Sequence, residues 1–490
     1  MAHDIVLTTI NAKWIHPSLA LRLLKANLGE FKERAIILEF ALRQPLQEKV
    51  SAILNAGPCL LALSVSIWNH LATIDLLKTL ENQWPREGRP YIILGGPEVS
   101  FLPVDAEIFK LADYVIRGEG EESFYFLCKS LLGAAAVGPG AAVRSERAAL
   151  GAGAAAARAG KKATFLEADN TDLNKINYAY NLYTDEDLSK KLTYVEASRG
   201  CPFSCEFCQA GMQEIREFPI ENFLAEMEAL IRRGGQHFKF LDRTFNSNIN
   251  RAIIILEFFL QKIISGSPIV VHFEMVPMHF PLELKSILSK FPPKSLRLEV
   301  GIQTFNPETS LLIKRPSLNE ESLKFLFKDT NTIIHADLII GLPGEDLSSF
   351  RLGLDKLMAI MADYTQGSIE KRFEIQIGIL KCLPGTPINR HEKEFSFLYS
   401  SLPPYEMIST STLSKAELDS MKNFSRFWEL IVNRNHFPDL TLKIFPKGES
   451  AFDNFYDLSK KLLLHFGSNW GIDRNELREF LQSFLSTEKT

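Results

Sequence analysis

The chain has 490 residues, 46% hydrophobic and 23% charged, with a formal net charge of −4. That length exceeds one ordinary domain, and the balance is that of a globular chain. The acidic sum argues against a basic nucleic-acid surface, and no run of about twenty apolar residues predicts a transmembrane helix. The start, Met1 to Asp4 running straight into Ile5-Val6-Leu7, lacks the pattern of a signal peptide, so a cytoplasmic location is expected. Three of the six cysteines fall within eight residues. Cys59, Cys128 and Cys382 are scattered in apolar stretches and read as buried reduced thiols.

Taken in chain order, residues 1–132 alternate short apolar runs with amphipathic segments. Strands are expected at 4–10, 35–40, 59–65, 91–94 and 113–116. Helices are expected near 19–28, 46–54, 71–82, 104–110 and 121–132. Near-continuous apolar strands between helices predict a parallel sheet covered on both faces, a Rossmann-like (flavodoxin-like) α/β domain. Its ligands belong beyond the carboxyl ends of the strands. Residues 133–160 are dominated by Ala and Gly and cannot offset their ordering entropy by burial. The segment 133–165 therefore reads as a linker or exposed insertion.

A third stretch, 166–387, resumes the alternation. Strands are expected at 192–197, 237–241, 269–274, 296–302, 333–340 and 373–380. Helices fill the gaps at 221–232, 253–264, 282–288, 320–327 and 350–361. Six strand–helix units predict a partial (β/α)6 TIM-like barrel with its chemistry at the carboxyl ends of the strands. Residues 388–490 read as a mostly helical C-terminal domain, with helices at 415–432, 452–465 and 473–485. It has the length of a lid or a partner-binding element.

The most informative stretch is Ala197-Ser198-Arg199-Gly200-Cys201-Pro202-Phe203-Ser204-Cys205-Glu206-Phe207-Cys208, directly after the first strand of the expected barrel. Soft thiolates at close spacing select zinc or an iron–sulfur cluster. Three thiolates can bind three irons of a cubane and leave the fourth open, as catalysis requires. The competing readings are a structural zinc with a distant fourth ligand, or three unrelated thiols. No second Cys or His pair with zinc spacing is visible.

The Cys-x3-Cys-x2-Cys spacing of Cys201, Cys205 and Cys208, with Phe207 before the last, resembles the radical SAM superfamily. The resemblance implies a 4Fe–4S cluster whose open iron binds S-adenosylmethionine (SAM) and whose electron releases a 5′-deoxyadenosyl radical. Later strand ends agree. The second carries Asp242, in place of the commoner Gly-Gly-Glu, toward the amino group of SAM. The fourth reads Glu299-Val300-Gly301-Ile302-Gln303-Thr304, similar to a strand that brings polar side chains to the ribose or carboxylate. The fifth, Asp337 to Glu345, holds Gly341 where backbone approaches adenosine. The sixth ends near Leu383, where apolar groups flank adenine. By this resemblance Phe207, Asp242, Glu299, Gln303, Asp337, Gly341 and Leu383 contact SAM.

Loops after the N-terminal strands carry small residues that let a flat or bulky ligand approach the backbone. Ser64-Val65-Ser66-Ile67-Trp68 ends the third strand and Leu94-Gly95-Gly96-Pro97-Glu98 the fourth. Arg117-Gly118-Glu119-Gly120 follows the fifth. No G-x-G-x-x-G follows the first strand. Set before a radical SAM barrel, these loops resemble the cobalamin-binding domain of cobalamin-dependent radical SAM proteins. The loop Asn11-Ala12-Lys13-Trp14-Ile15-His16-Pro17 is similar to a subgroup with an uncharacterised (DUF4080-type) C-terminal domain. Asn11, Lys13, His16, Ser64, Ser66, Trp68, Gly95, Gly96, Pro97, Glu98, Gly118 and Glu119 are the expected cobalamin contacts. Asp-x-His-x-x-Gly is absent, which implies base-off cobalamin without a strong histidine ligand.

The resemblance implies a cobalamin-dependent radical SAM enzyme, with methyl transfer to an unactivated carbon of an unidentified small or macromolecular substrate. A reductase or flavodoxin-type protein is the expected electron donor. The alternatives are another radical SAM reaction, such as methylthio transfer or oxidative rearrangement, or a zinc-dependent nucleic-acid-binding protein.

Overall fold

A computed structural model describes residues 4–84, 89–132, 162–211, 213–278, 280–316, 318–365 and 373–487. Of the expected linker 133–165, residues 133–161 lie outside the described residues, and its end at 164–165 belongs instead to a strand. The chain divides into two bodies, Met1–Ala197 with Glu217–Lys239, and Ser198–Arg216 with Phe240–Thr490.

The first body is built on β1 (Ile5–Asn11), β2 (Ala35–Ala41), β3 (Leu60–Ser64), β4 (Tyr91–Gly95), β5 (Tyr114–Arg117) and β6 (Thr164–Glu167). They form a six-stranded sheet in the order 2-1-3-4-5-6. Every pairing is parallel. All seven residues of β1 are buried, as expected of a central strand covered on both faces. The period of two splits its side chains: Val6 and Ile10 join Leu61, Leu63 and Ile92 in one core, Ile5 and Leu7 join Leu60, Ala62 and Ile93 in another. Helices close both faces. One, Leu19–Ala26, starts where Ser18 Oγ accepts from Leu21 N; another, Leu46–Ala56, stops at Gly57 with φ +56°. β2 and β3 lie on opposite sides of β1, so the switch point opens beyond the carboxyl ends of β1 and β3. The helix expected at 104–110 is instead a 3-10 turn, Glu107–Leu111. β6 was not expected at all; its polar-flanked Thr-Phe-Leu-Glu is too short to show a period.

Downstream, β7 (Thr193–Val195) still belongs to the first body. The second body opens with a two-stranded sheet of β8 (Ser198–Cys201) and β9 (Gln213–Glu217). β10 (His237–Phe240) returns beside β7. Four parallel strands then run in order in the second body: β11 (Val270–Met275), β12 (Leu296–Gln303), β13 (Ile333–Ile340) and β14 (Phe373–Ile379). Their burial alternates. Leu298, Val300, Ile334 and Ala336 are buried, whereas Arg297, Glu299, His335 and Asp337 on the other face are half-buried. No described helix is long and apolar enough to cross a membrane.

Among the described strands β14 ends its sheet, and an unpaired edge needs partners for its backbone. The C-terminal helices supply them. Helix Lys415–Trp428 begins with a capping box of Ser414 and Glu417 and passes into a π-turn, Glu429–Asn433. The wider turn aims the Asn433 amide at the strand: Oδ1 accepts from Ile375 N and Nδ2 donates to Ile375 O, both at 3.0 Å. Ser425 Oγ donates to Ile377 O at 2.5 Å. Phe424, Trp428 and Phe455 pack ring to ring behind the helix, with centroids 4.9–5.6 Å apart.

One acid beyond β13 is held out of water. Glu345 is 1% exposed; Thr304 Oγ1 donates to its Oε1 at 2.5 Å, and Oε2 has no hydrogen-bond partner. Burial pushes its carboxyl from 4.5 up to about 8, with Asp346 adding to the rise against the Thr304 bond.

Two outcomes follow from these contacts. Asn433→Ala leaves both backbone groups of Ile375 unpaired and should cost about 1–3 kcal/mol in urea unfolding. Because the Glu345 carboxyl is raised on folding, its contribution is full below the ordinary value of 4.5 and is lost as pH climbs through about 8. Urea midpoints should therefore fall across that window, and Glu345→Gln should flatten the fall.

Candidate functional site

The three clustered cysteines sit on the turn of a β-ribbon. Cys201 ends β8, Cys205 and Cys208 lie in the connection, and β9 carries the chain back. Gly200 has φ +99°, and a Cβ there would run into the Glu214 carbonyl, so only glycine lets the two strands close. Cys201 and Cys205 are buried and Cys208 is half-buried. Thr244 Oγ1 lies 3.5 Å from Cys201 Sγ, Arg315 Nη1 donates to Cys205 Sγ at 3.5 Å, and Ala210 N donates to Cys208 Sγ at 3.4 Å. Burial pushes the Cys208 thiol up; the Ala210 bond and Arg243 oppose this, and the fields of Cys205 and Cys201 add to it. The three sulfurs are thus electrostatic neighbours, and each thiol has a donor or hydroxyl beside it.

Among the described residues no three His, Cys, Asp or Glu side chains converge where a single ion could sit. A cubane asks for something else, a separate iron for each thiolate. Three neighbouring thiols on one turn, with an arginine at one sulfur, match that donor set. The other cysteines differ. All six are unbridged, and burial pushes Cys128 and Cys382 up to about 12.

Four of the seven residues expected to contact SAM line one cavity of about 990 Å³: Phe207, Gln303, Asp337 and Leu383. Phe207 comes from the cysteine turn itself, and Gln303 from the end of β12 with φ +72°. The other three lie elsewhere. Asp242 is buried and accepts from Ser198 Oγ at 2.5 Å, which ties the foot of β8 to the segment after β10. Glu299 Oε1 lies 3.3 Å from His272 Nε2. Gly341 turns the chain out of β13 with φ +92°. The same cavity is lined by His335 and Glu374, whose Nδ1 and Oε2 are 3.4 Å apart, and by Lys381, Lys422 and Arg426.

The expected cobalamin contacts all follow strand ends of the first sheet. Asn11 closes β1 and donates to Glu39 Oε1 at 3.1 Å; Lys13 is exposed; His16 Nδ1 lies 2.8 Å from Tyr194 OH. Burial and the nearby Lys13 and Lys239 hold the His16 imidazole below its usual range. Ser64 and Ser66 both bond through their backbone to buried Asn69, which the sequence reading did not single out as a site residue. Asn69 Oδ1 accepts from Ser66 N at 2.8 Å, and its Nδ2 donates to Thr9 Oγ1, Ile10 O and Ser64 O at 3.0–3.3 Å. One amide thereby pins the loops after β1 and β3.

Gly95 ends β4. Gly96 has φ +101°, and a Cβ there would lie 2.6 Å from Val65 O; at Gly118, φ +89°, it would lie 2.9 Å from Ala168 O. These two glycines answer to the protein's own backbone. Pro97 starts a short helix, and Glu98 is buried with Oε1 2.8 Å from His70 Nδ1. Glu119 Oε2 accepts from Thr171 N at 2.9 Å. Trp68 and Trp14 are each 52% exposed, and Trp68 Nε1 donates to Ile10 O at 3.2 Å. Such an apolar rim at the switch point suits a flat ligand.

Arg315 and Thr244 were also missed, because they stand 110 and 43 positions from the cysteines they touch. No local spacing signals either.

Comparison with known proteins agrees with this arrangement. Residues 5–127 match the B12 binding domain and residues 195–356 match the Radical SAM superfamily. The cobalamin-dependent radical SAM methyltransferase TokK of Streptomyces tokunonensis is 25% identical over 366 residues, 71% of this chain and 50% of that protein. The 2-(S-pantetheinyl)-carbapenam-3-carboxylate methyltransferase of Streptantibioticus cattleyicolor is 24% identical over 375 residues, 73% of this chain and 52% of that protein. The chain thus spans about half the length of these curated relatives.

Among solved structures, the cobalamin-dependent SAM radical enzyme OxsB with aqua-cobalamin superposes with a TM-score of 0.61 at 15% identity, covering 99% of this chain and 75% of that one. The radical SAM methyltransferase TsrM from Kitasatospora setae gives 0.55 at 16%, covering 81% and 77%. These likenesses establish the fold. The cofactors that go with the two matched domains are a 4Fe–4S cluster with SAM, and cobalamin. The chain thus carries a B12-binding domain over residues 5–127, N-terminal to a radical SAM domain over residues 195–356.

Proposed function

We propose that the chain is a cobalamin-dependent radical SAM methyltransferase acting on an unactivated carbon. The carrying observation is a three-thiol turn whose Phe207 lines one cavity with Gln303, Asp337 and Leu383, in a chain that also holds a B12-binding domain. The names of TokK and of the carbapenam methyltransferase support methyl transfer over the other radical SAM reactions.

When bound, the cluster with SAM supplies a carbon radical and cobalamin supplies the methyl group. The chain's residues bind and orient. Arg315 places its guanidinium against Cys205 Sγ, where it would hold the sulfur in position for iron. Gln303 and Asp337 offer an amide and a carboxylate to the sugar and amino-acid parts of SAM. Beyond them the cavity holds Lys381, Lys422 and Arg426 with Glu374 and Glu406, so a polar substrate carrying charge is favoured over an apolar one. The electron comes from a reductase or flavodoxin-type donor. A cytoplasmic setting fits six unbridged cysteines, since thiols stay reduced there.

The test is SAM cleavage under anaerobic reduction. Wild type loaded with iron, sulfide and cobalamin should convert SAM to 5′-deoxyadenosine. Cys205→Ala should reduce this to background while circular dichroism and cobalamin binding stay at wild-type levels. Undiminished cleavage by the variant contradicts the ligand assignment.

A further inference from the structure

Glu206 follows Cys205 directly, and its side chain is wholly buried beside the cysteine turn. A carboxylate out of water is tolerated only with close partners of opposite charge. Two cations and a histidine converge here. Arg390 grips both oxygens, Nε at 2.8 Å from Oε2 and Nη2 at 2.6 Å from Oε1. Lys314 Nζ lies 3.1 Å from Oε1, and His391 Nε2 lies 2.9 Å from Oε2. The backbone of Glu206 is used as well: its N donates to Ile313 O at 3.0 Å, and its O accepts from Ile388 N at 2.9 Å.

Both sets of bonds leave the cysteine turn for the same two segments. One is the turn after helix Pro307–Leu312; the other is the 3-10 helix Pro387–His391. Lys314 has φ +50°, a left-handed conformation that a residue with a Cβ adopts only under constraint. In that turn Lys314 reaches Glu206, and its neighbour Arg315 donates to Cys205 Sγ and to Gly301 O. The Lys314–Arg315 pair therefore holds the cysteine turn at two adjacent residues.

We propose that Glu206 is a positioning residue for the iron–sulfur cluster, fixing the three-thiol turn through Arg390, Lys314 and His391 before iron arrives. The inference rests on the cluster reading of the cysteines and not on the reaction that follows. A turn held in the liganding shape loses less freedom when it binds, so the clamp should show in how tightly iron is kept.

The experiment compares full-length wild type, Glu206→Gln and Arg390→Gln, each loaded anaerobically with iron and sulfide and then given an iron chelator. Cluster absorbance should decay roughly 10–100-fold faster in both variants. Arg390→Lys should recover part of the loss, and the paramagnetic spectrum of the reduced cluster should change in Glu206→Gln. Cobalamin affinity should match wild type throughout. The Arg390 side chain is 52% exposed, so its variants report on the clamp even where Glu206→Gln does not fold. Wild-type decay with an unchanged spectrum overturns the proposal, as does an equal loss of cobalamin binding, the mark of general unfolding. A wild-type chain that takes up no iron overturns the cluster reading instead.

Discussion

A parallel sheet sends the carboxyl end of every strand to the same edge. In the first body this brings Asn11, Ser64, Gly95 and Arg117 to one side, because β1, β3, β4 and β5 all run the same way. In the second, the same rule gathers the ends of β12, β13 and β14, where Gln303, Gly341 and Leu380 leave the sheet. Loops of unrelated sequence can then share a site without sharing a segment. Helices cover both faces of the first sheet, whereas the second keeps one apolar face and sets paired charges such as Arg297 with Glu374 and His272 with Glu299 on the other.

The buried charges are paired as well. Arg22 sits between Glu39 and Asp187 at 2.8 and 2.9 Å, Glu98 meets His70, and Glu206 meets Arg390, Lys314 and His391. Glu345 has only the Thr304 hydroxyl, and its carboxyl is raised accordingly. The contrast is physical: burial with a hydroxyl as the lone partner pushes the Glu345 carboxyl up to about 8, so it holds its proton at neutral pH. Around the cysteine turn the result is a positive shell, Arg315 at one sulfur and the Glu206 cations behind the backbone. Positive charge is what three thiolates in a small volume require.

Much of this was legible from periodicity. The strands expected at 333–340 and 296–302 were found at Ile333–Ile340 and Leu296–Gln303, because long apolar alternations have few other uses. The cysteine spacing was legible for the same reason, being local. The β8–β9 ribbon was not, since Gln-Glu-Ile-Arg-Glu shows no apolar run and Gly200 reads as an ordinary turn residue. Nor was the clamp on Glu206, whose partners Arg390 and His391 lie 184 and 185 positions away. The π-turn that brings Asn433 to β14 likewise depends on packing that no short window carries. Side chains that touch across the fold were the hidden part; elements that repeat along the chain were the visible one.

Whether one chain holds both cofactors is tested most directly by anaerobic loading with iron, sulfide and hydroxocobalamin. After gel filtration, the protein peak is assayed for iron, sulfide, zinc and cobalamin absorption. A full 4Fe–4S complement together with retained cobalamin is the predicted result. Stoichiometric zinc without iron, or a full cluster with no cobalamin retained, would contradict it.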